Sequence, residues 1–358
     1  MKTLTIKHLL IILTVTAVLT SCRKDKTEPT PEPPKAERAG VYIVNQGSFG
    51  ASNSTLTYYD YTTATRTGDI FSTVNGTGLG ATANDAQIYG SKMYIIVNVS
   101  STIEIVNAKT AKLIKHIDMK DGEVNRQPRY VVFNKGKAFI SSYDGTVAVL
   151  DTASLNIEKY ITVGRNPEQM AISNNKLYVA NSGGLDFGNP DKTVSVIDLN
   201  TLTEIKKIEV TVNPVSLAAD AYGDVYLISN GNYVDINPTF TIIDSNTDVV
   251  KSAAEANVAY GSPIAIEGDL AFILTGDNKV QVYNVKTETV AKENFISDGT
   301  AITTPYSVAV DGLTGEVFVT DAKNFAVDGE LFVFDSSGKK KYSIATGINP
   351  GRVVFVNK

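Results

Sequence analysis

Lys176-Leu-Tyr-Val-Ala-Asn181 alternates apolar and polar residues, which is the period of a β-strand with one buried face. A Gly-rich loop leads to a second alternating run, Thr193-Val-Ser-Val-Ile-Asp198. The polar turn Asp198-Leu-Asn-Thr201 follows, and its Asp and Thr side chains can bond nearby backbone amides. A third strand is predicted from about Glu204 to Val210, before Asn213-Pro214. This stretch therefore predicts one compact unit made of strands.

The polar turn is a repeat marker that can be traced along the whole chain. Related turns begin at Asp60, Asn107, Asp151, Asp198, Asp244, Asn284 and Asp335, which places them 40 to 51 residues apart. That spacing matches the length of one four-stranded propeller blade. A proline that opens the innermost strand recurs in phase with the turn, at Pro128, Pro167, Pro214, Pro263, Pro305 and Pro350. Two markers with one period predict a repeat fold.

The first and last units predict how the ring closes. The first unit begins with its second strand, Val41-Tyr-Ile-Val-Asn45, and has no inner strand of its own. The last proline is followed by a single strand, Val353 to Val356. We therefore predict an all-β, seven-bladed β-propeller of four-stranded blades, in which the C-terminal strand completes the first blade. Closure of this kind removes the open sheet edges that invite pairing with other chains.

The same markers assign the two faces of the ring. The blades are predicted at residues 40–71 with the C-terminal strand, 84–118, 127–163, 166–210, 213–254, 262–296 and 304–345. The Asp-x-x-Thr turns are expected on one face, here named the turn face. The proline-led entries and the loops after each second strand share the opposite, loop face. Loops on a rigid scaffold commonly carry function, so we expect the binding site on the loop face.

Composition argues against several classes of function. The 358 residues include 33 basic and 38 acidic ones, for a formal charge of −5, and no basic stripe indicates nucleic acid as a partner. The chain has two histidines, His8 near the N-terminus and His116 in a predicted outer strand. This argues against a Ser-His-Asp triad or a multi-histidine metal centre. The sequence has no phosphate-loop or dinucleotide motif, and no cofactor is expected.

The N-terminus has the features of a lipoprotein signal. Lys2 and Lys7 flank the start of an apolar run, Leu9 to Leu19, that is too short to span a bilayer. Leu19-Thr-Ser-Cys22 resembles a lipobox, so residues 1–21 are interpreted as a signal peptide and Cys22 as a lipidated residue. The polar, Pro-rich residues 22–39 predict a flexible tether to a propeller at 40–358. We expect a monomeric outer-membrane lipoprotein, exposed at the cell surface and held to the membrane only by its lipid.

Aromatic, amide and arginine side chains are concentrated on the predicted loop face. Aromatic walls with a few converging polar groups are typical of small-ligand sites, although a single aromatic side chain is more often part of a core. The candidate ligand-binding residues are Phe49, Arg129, Tyr130, Tyr143, Gln169, Asn181, Phe187, Tyr233, Phe325 and Arg352.

Carboxylates near the same face have two interpretations. These residues are Asp85, Glu168, Asp186, Asp191, Asp235, Asp321 and Asp328. A subset could hold calcium or act as acid and base. The simpler interpretation is that they cap turns and bond the loop backbone. No compact Asp-x-Asp-x-Asp spacing favours a metal, and no metal site is predicted.

The blade pattern, with its two alternating runs and polar turn, resembles the bacterial YncE-like propeller family over about residues 40–358. Within that family the chain is similar to surface lipoproteins of gut anaerobes that bind cobalamin beside an outer-membrane transporter. The similar segments are 45–49, 54–60, 127–130, 168–170, 321–325 and 348–351. The resemblance implies cobalamin or a related corrinoid as ligand. The chain has no tryptophan, which leaves the ligand open.

The expected function is non-enzymatic capture of a nutrient, with a corrinoid handed to an outer-membrane transporter as the specific hypothesis. Two alternatives remain. One is a lactonase-like propeller enzyme that depends on a metal or a carboxylate pair. The other is a scaffold that binds a transporter or surface-layer protein. Propellers host all three functions, so the fold does not choose between them.

Overall fold

The computed structural model describes residues 36–184 and 186–358, and nearly all of their regular secondary structure is antiparallel β-strand. The predicted signal peptide, Cys22 and the predicted tether up to residue 35 lie outside the described residues. Seven four-stranded sheets form the blades of a propeller, as the sequence predicts. The described residues contain one helix of six residues, and none that is long and apolar enough to cross a membrane.

Blades one to four take their strands in chain order. Blade one contains β1 (Arg38–Asn45), β2 (Thr55–Asp60) and β3 (Thr65–Thr67), and the helix α1 (Ile70–Asn75) follows it. Blade two contains β4 (Ala83–Tyr89), β5 (Lys92–Val97), β6 (Thr102–Asn107) and β7 (Leu113–Asp118), followed by the hairpin strands β8 (Lys120–Asp121) and β9 (Val124–Asn125). Blade three contains β10 (Pro128–Asn134), β11 (Lys137–Ser142), β12 (Thr146–Asp151) and β13 (Ile157–Thr162). Blade four contains β14 (Pro167–Ser173), β15 (Lys176–Asn181), β16 (Thr193–Asp198) and β17 (Thr203–Glu209).

The last strand of the chain closes the ring. Blade five contains β18 (Pro214–Ala219), β19 (Asp224–Ser229), β20 (Thr239–Asp244) and β21 (Val249–Glu255), and blade six β22 (Ala265–Glu267), β23 (Leu270–Leu274), β24 (Val280–Asn284) and β25 (Thr289–Lys292). Blade seven contains β26 (Pro305–Asp311), β27 (Glu316–Asp321), β28 (Asp328–Phe334) and β29 (Lys340–Ile348). The final strand, β30 (Pro350–Asn357), pairs with β1, with Tyr42 opposite Val354. It is the inner strand of blade one, which confirms the predicted closure.

The repeated polar turns are closed by their own first residue. In blade four, Oδ1 of Asp198 accepts from the amides of Asn200 at 2.8 Å and Thr201 at 2.9 Å. The Thr201 hydroxyl does not bond a backbone amide and lies 2.7 Å from that of Thr203, whereas in blade two the Thr110 hydroxyl accepts from the Lys112 amide at 3.4 Å, as predicted. The chain can then reverse because Leu202 adopts a left-handed conformation, with φ at 55°.

One buried aromatic residue occupies the same position in the second strand of every blade. These residues are Tyr42, Tyr94, Phe139, Tyr178, Tyr226, Phe272 and Phe318, and all are at most 5% exposed. They pack in the hydrophobic clusters within and between the blades. Large aromatic side chains bury the most apolar area per residue, so this position stabilises each blade.

Blade six departs from the proline pattern. Pro263 lies outside the strand ladder, and the inner strand β22 begins at Ala265. Beyond this strand the carbonyl of Leu274, the last residue of β23, accepts from the Ala259 amide at 2.9 Å. The sequence also did not predict α1 or the β8–β9 hairpin, since both are too short to show a period.

Candidate ligand-binding site

A cavity of about 510 Å³ opens on the loop face at the end of the central channel. Inner strands and loops from every blade contribute to its lining. Blade one provides Gln46 and Arg352, for example, and blade seven provides Tyr306 on the other side of their shared boundary. The cavity therefore lies where all the blades converge, as expected for the loop face of a closed ring.

β-Bulges turn the cavity-lining side chains towards the channel. The register of the inner strands shifts directly after their first residue in blades one to five and in blade seven. Proline has no amide hydrogen to donate to the ladder, which favours an interruption there, and a bulge re-aims the side chains it contains. The residues within these bulges are Asn84, Arg129, Tyr130, Glu168, Gln169, Val215, Tyr306 and Gly351, and each of them lines the cavity.

Arg129 is the centre of a bonded cluster that joins three blades. Its Nε donates to Oε2 of Glu168 at 2.9 Å, and its Nη1 donates to Oδ1 of Asn84 at 2.6 Å. The guanidinium lies over the ring of Tyr143, 4.7 Å from the ring centroid. The Tyr143 hydroxyl donates to the other carboxylate oxygen of Glu168. These contacts hold the Arg129 side chain in one orientation at the cavity wall.

A second ion pair, Asp85 with Arg352, links blades two and one. Nε of Arg352 lies 3.0 Å from Oδ1 of Asp85 but is directed at the carbonyl of Ala86, 3.4 Å away. The Asp85 Oδ1 atom is buried and has no aligned hydrogen-bond donor among the described residues. Its Oδ2 accepts from the Val131 amide at 3.0 Å. One carboxylate oxygen therefore keeps unused acceptor capacity beside the cavity.

Burial changes the protonation of this site. It raises the pKa of Asp85, against the opposing effect of Arg352. Burial also raises the pKa of Tyr143 well above its ordinary value and that of Tyr306 to about 12, so both phenols are protonated at neutral pH. For Arg129, burial disfavours the charge, but Glu168, Tyr143 and Tyr130 together outweigh this effect and raise the pKa of the guanidinium.

Comparison with known proteins identifies the family of this chain. The model of the family described as Domain of unknown function (DUF5074) matches residues 39–355. The chain belongs to the DUF5074 family. No curated protein matches it.

Solved structures resemble this DUF5074 protein at the level of the fold. A quinonprotein alcohol dehydrogenase-like protein from Bacteroides thetaiotaomicron has 18% identity and a TM-score of 0.65, covering 89% of this chain and 79% of that one. Hydrazine synthase of Kuenenia stuttgartiensis has 17% identity and a TM-score of 0.59, with coverages of 71% and 76%. Apo AztD from Citrobacter koseri has 12% identity and a TM-score of 0.57, with coverages of 89% and 98%.

Most of the predicted site residues of this DUF5074 protein line the cavity. They are Phe49, Arg129, Tyr130, Tyr143, Gln169, Phe187, Tyr233 and Arg352. Asn181 does not: it is fully buried, and its Nδ2 donates to the hydroxyls of Thr193 and Ser195, each at 3.0 Å. Phe325 lies beside the cavity, with its ring centroid 5.9 Å from that of Tyr306.

The carboxylates of the loop face divide into two groups. Asp85 and Glu168 line the cavity, as described above. Others bond loop backbone, as the simpler interpretation predicts: Asp321 accepts from the amides of Thr303, Thr304 and Lys323. Within the described residues, no group of three or more His, Cys, Asp or Glu side chains is arranged to hold a metal ion.

Most of the other cavity residues were not predicted as site residues, and Gln46, Asn84 and Tyr260 are three examples. Gln46 accepts from the Tyr306 hydroxyl at 2.7 Å, a contact between blades one and seven. Asn84 occupies the bulge of blade two, where the inner strand has no proline to mark its start. Alignment of the seven repeats on the bulge position would have identified Asn84, but no repeat signal marks Gln46 or Tyr260.

Proposed function

We propose that this DUF5074 propeller captures a small organic molecule in the loop-face cavity and does not transform it. The observation that carries this proposal is the convergence of bulged residues from six inner strands on one cavity of about 510 Å³. That volume is in the usual range for small-molecule sites. Aromatic, amide and paired ionic side chains surround it, and their mutual bonds fix the site before any ligand arrives, which lowers the entropic cost of binding.

The bonding of the two cavity carboxylates favours capture over catalysis. Glu168 is bonded to Arg129 and accepts from Tyr143, while Asp85 is paired with Arg352. Catalytic acids and bases need access to the reacting atoms. Both oxygens of Glu168 have partners within the wall, and Asp85 is held in an ion pair although its Oδ1 has no aligned donor, so a lactonase-like reaction has less support than binding.

A corrinoid is the specific ligand that we propose, on the strength of the sequence resemblance. Its macrocycle is larger than the cavity, so it would lie across the mouth with its amide side chains inside. We also propose that lipidated Cys22 and the tether hold the propeller at the outer cell surface, where it passes the ligand to a transporter. The amide-rich lining, including Gln46 and Gln169, suits the amide groups of such a ligand.

Calorimetric titration of the purified protein with cyanocobalamin tests this proposal. We expect one-to-one binding that is lost in Val215→Phe, because the larger side chain would obstruct the cavity without breaking an ion pair. Val249→Phe is the matched control, since Val249 is 53% exposed on an outer strand. Absence of heat with the wild-type protein would reject the corrinoid. Equal binding by Val215→Phe would reject the cavity as the site.

A further inference from the structure

Three aromatic rings form an exposed cluster at the mouth of the cavity. Phe187, Tyr233 and Tyr260 come from blade four, blade five and the connection to blade six, and all three line the cavity. The ring centroid of Tyr233 lies 5.8 Å from that of Phe187 and 5.1 Å from that of Tyr260. Their exposed fractions are 61%, 47% and 61%, respectively. Clustered aromatic exposure of this kind marks an interaction surface rather than a core.

Tyr233 is held in this exposed position at an energetic cost. Its φ of 62° is in the left-handed region, which a bulky side chain rarely adopts. Its hydroxyl accepts from Nδ2 of Asn213 at 2.9 Å and lies 3.3 Å from Nδ2 of Asn230. The two amides fix the ring so that it cannot turn away from the mouth. Backbone strain that is maintained by surrounding contacts is concentrated at functional sites.

Blade seven, on the other side of blade six, has a second exposed aromatic residue with a positive φ. Phe325 has a φ of 64°, is 51% exposed and packs its ring edge-on against Tyr306. Within the described residues, Tyr233 and Phe325 are the two aromatic residues with positive φ. Both lie in loops that follow second strands, so two separate blades place on the loop face an exposed aromatic residue with a strained backbone.

The charges of the cavity wall cancel in pairs. Arg129 is paired with Glu168, and Arg352 with Asp85. A site for an anionic or cationic ligand would need a charge left over for the ligand, because burying an unpaired charge is costly. The remaining polar lining consists mainly of amide and hydroxyl groups, such as Gln46, Gln169 and Ser182, which bond uncharged partners.

Three observations are combined: the aromatic cluster, the strained backbone at Tyr233 and Phe325, and the pairing of all the charges in the cavity wall. From them we propose that the ligand carries a flat, uncharged ring system with polar groups at its edge. The ring stacks on Phe187 and Tyr260, and the edge groups bond the amides of the cavity. This inference rests on the proposed capture function and specifies its ligand class.

Three related compounds test the class of ligand on the purified protein. Riboflavin has a flat uncharged ring and a hydroxylated chain, ribitol has only the chain, and flavin mononucleotide adds a phosphate to riboflavin. We expect riboflavin to bind with quenched fluorescence, ribitol not to bind, and flavin mononucleotide to bind more weakly than riboflavin. If riboflavin did not bind, or if ribitol bound equally well, the proposed requirement for a flat ring would be overturned. Tighter binding of flavin mononucleotide would overturn the requirement for an uncharged ligand.

The double variant Phe187→Leu/Tyr260→Leu tests the stacking surface. It keeps apolar area but removes both aromatic faces, so we expect riboflavin affinity to fall about tenfold. Tyr222→Leu is the matched control, because Tyr222 is a half-exposed tyrosine on the β18–β19 connection at the turn face. An unchanged affinity in the double variant would overturn stacking. If Val215→Phe still abolishes cyanocobalamin binding in that case, capture stands and only the stacking proposal fails.

Discussion

On the turn face, Asp198 bonds amides two and three residues ahead of it in its own turn. On the loop face, Arg129 of blade three bonds Glu168 of blade four and Asn84 of blade two. The first arrangement needs only its own blade, so it can be repeated around the ring without change. The second needs particular partners on other blades, so each blade contributes a different residue. A symmetric ring therefore gains an asymmetric site where hydrogen bonds cross between blades.

Arg129→Met breaks the bonds between blades and should have the largest effect on the free energy of unfolding. It leaves Glu168, which is 7% exposed, as a buried carboxylate without its cation. Removing one partner of a buried ion pair costs about 3–5 kcal/mol. We therefore expect the free energy of unfolding, measured by chemical denaturation, to fall by about that amount.

Arg165→Met is the matched control for Arg129. Arg165 lies on the same face and contacts Asp186 at 3.3 Å, but its side chain is 46% exposed. Exposed ion pairs contribute about 0–1 kcal/mol. The double variant Arg129→Met/Glu168→Met should recover much of the lost stability. Similar losses for Arg129→Met and Arg165→Met would show that the bonds between blades do not distinguish the loop-face site.

The sequence predicted most of the features that recur in every blade and fewer of the contacts that occur only once in the ring. The turns and five of the six marked prolines predicted the blades and their inner strands, because local hydrogen bonds and a fixed period determine both. Arg129 and Tyr130 were predicted through their position after Pro128. Asn84, the partner of Arg129, was not, because the contact joins residues 45 apart and depends on bulges in two inner strands. The role of Asn181 differed from expectation for the opposite reason, since its Nδ2 bonds the next strand of its own blade and the side chain does not reach the cavity.

Asn284→Ala tests the local stabilisation of the turn face and should have a smaller effect. Oδ1 of Asn284 accepts from the amides of Lys286 at 3.0 Å and Thr287 at 2.9 Å. Loss of these exposed bonds should lower the free energy of unfolding by about 1 kcal/mol. Asn284→Asp should remain close to wild type, because aspartate occupies the equivalent position in other blades. A loss in Asn284→Asp as large as in Asn284→Ala would mean that the turns are not interchangeable.

Carboxylates of the two faces should contribute oppositely to the pH dependence of unfolding, and this is the smallest of the expected effects. Backbone amides of the turns lower the pKa of Asp198 and Asp244. A lowered pKa in the folded state stabilises the protein above the unfolded value of about 3.9, and this stabilisation is lost as the pH falls through the folded value. Burial raises the pKa of Asp85 on the loop face, so its contribution has the opposite sign and declines as the pH rises. Asp198→Asn/Asp244→Asn should therefore flatten the decline in melting temperature below pH 4. If the double variant kept the wild-type slope, the turn carboxylates would not be responsible for the acid sensitivity, and the two faces would not differ in this respect.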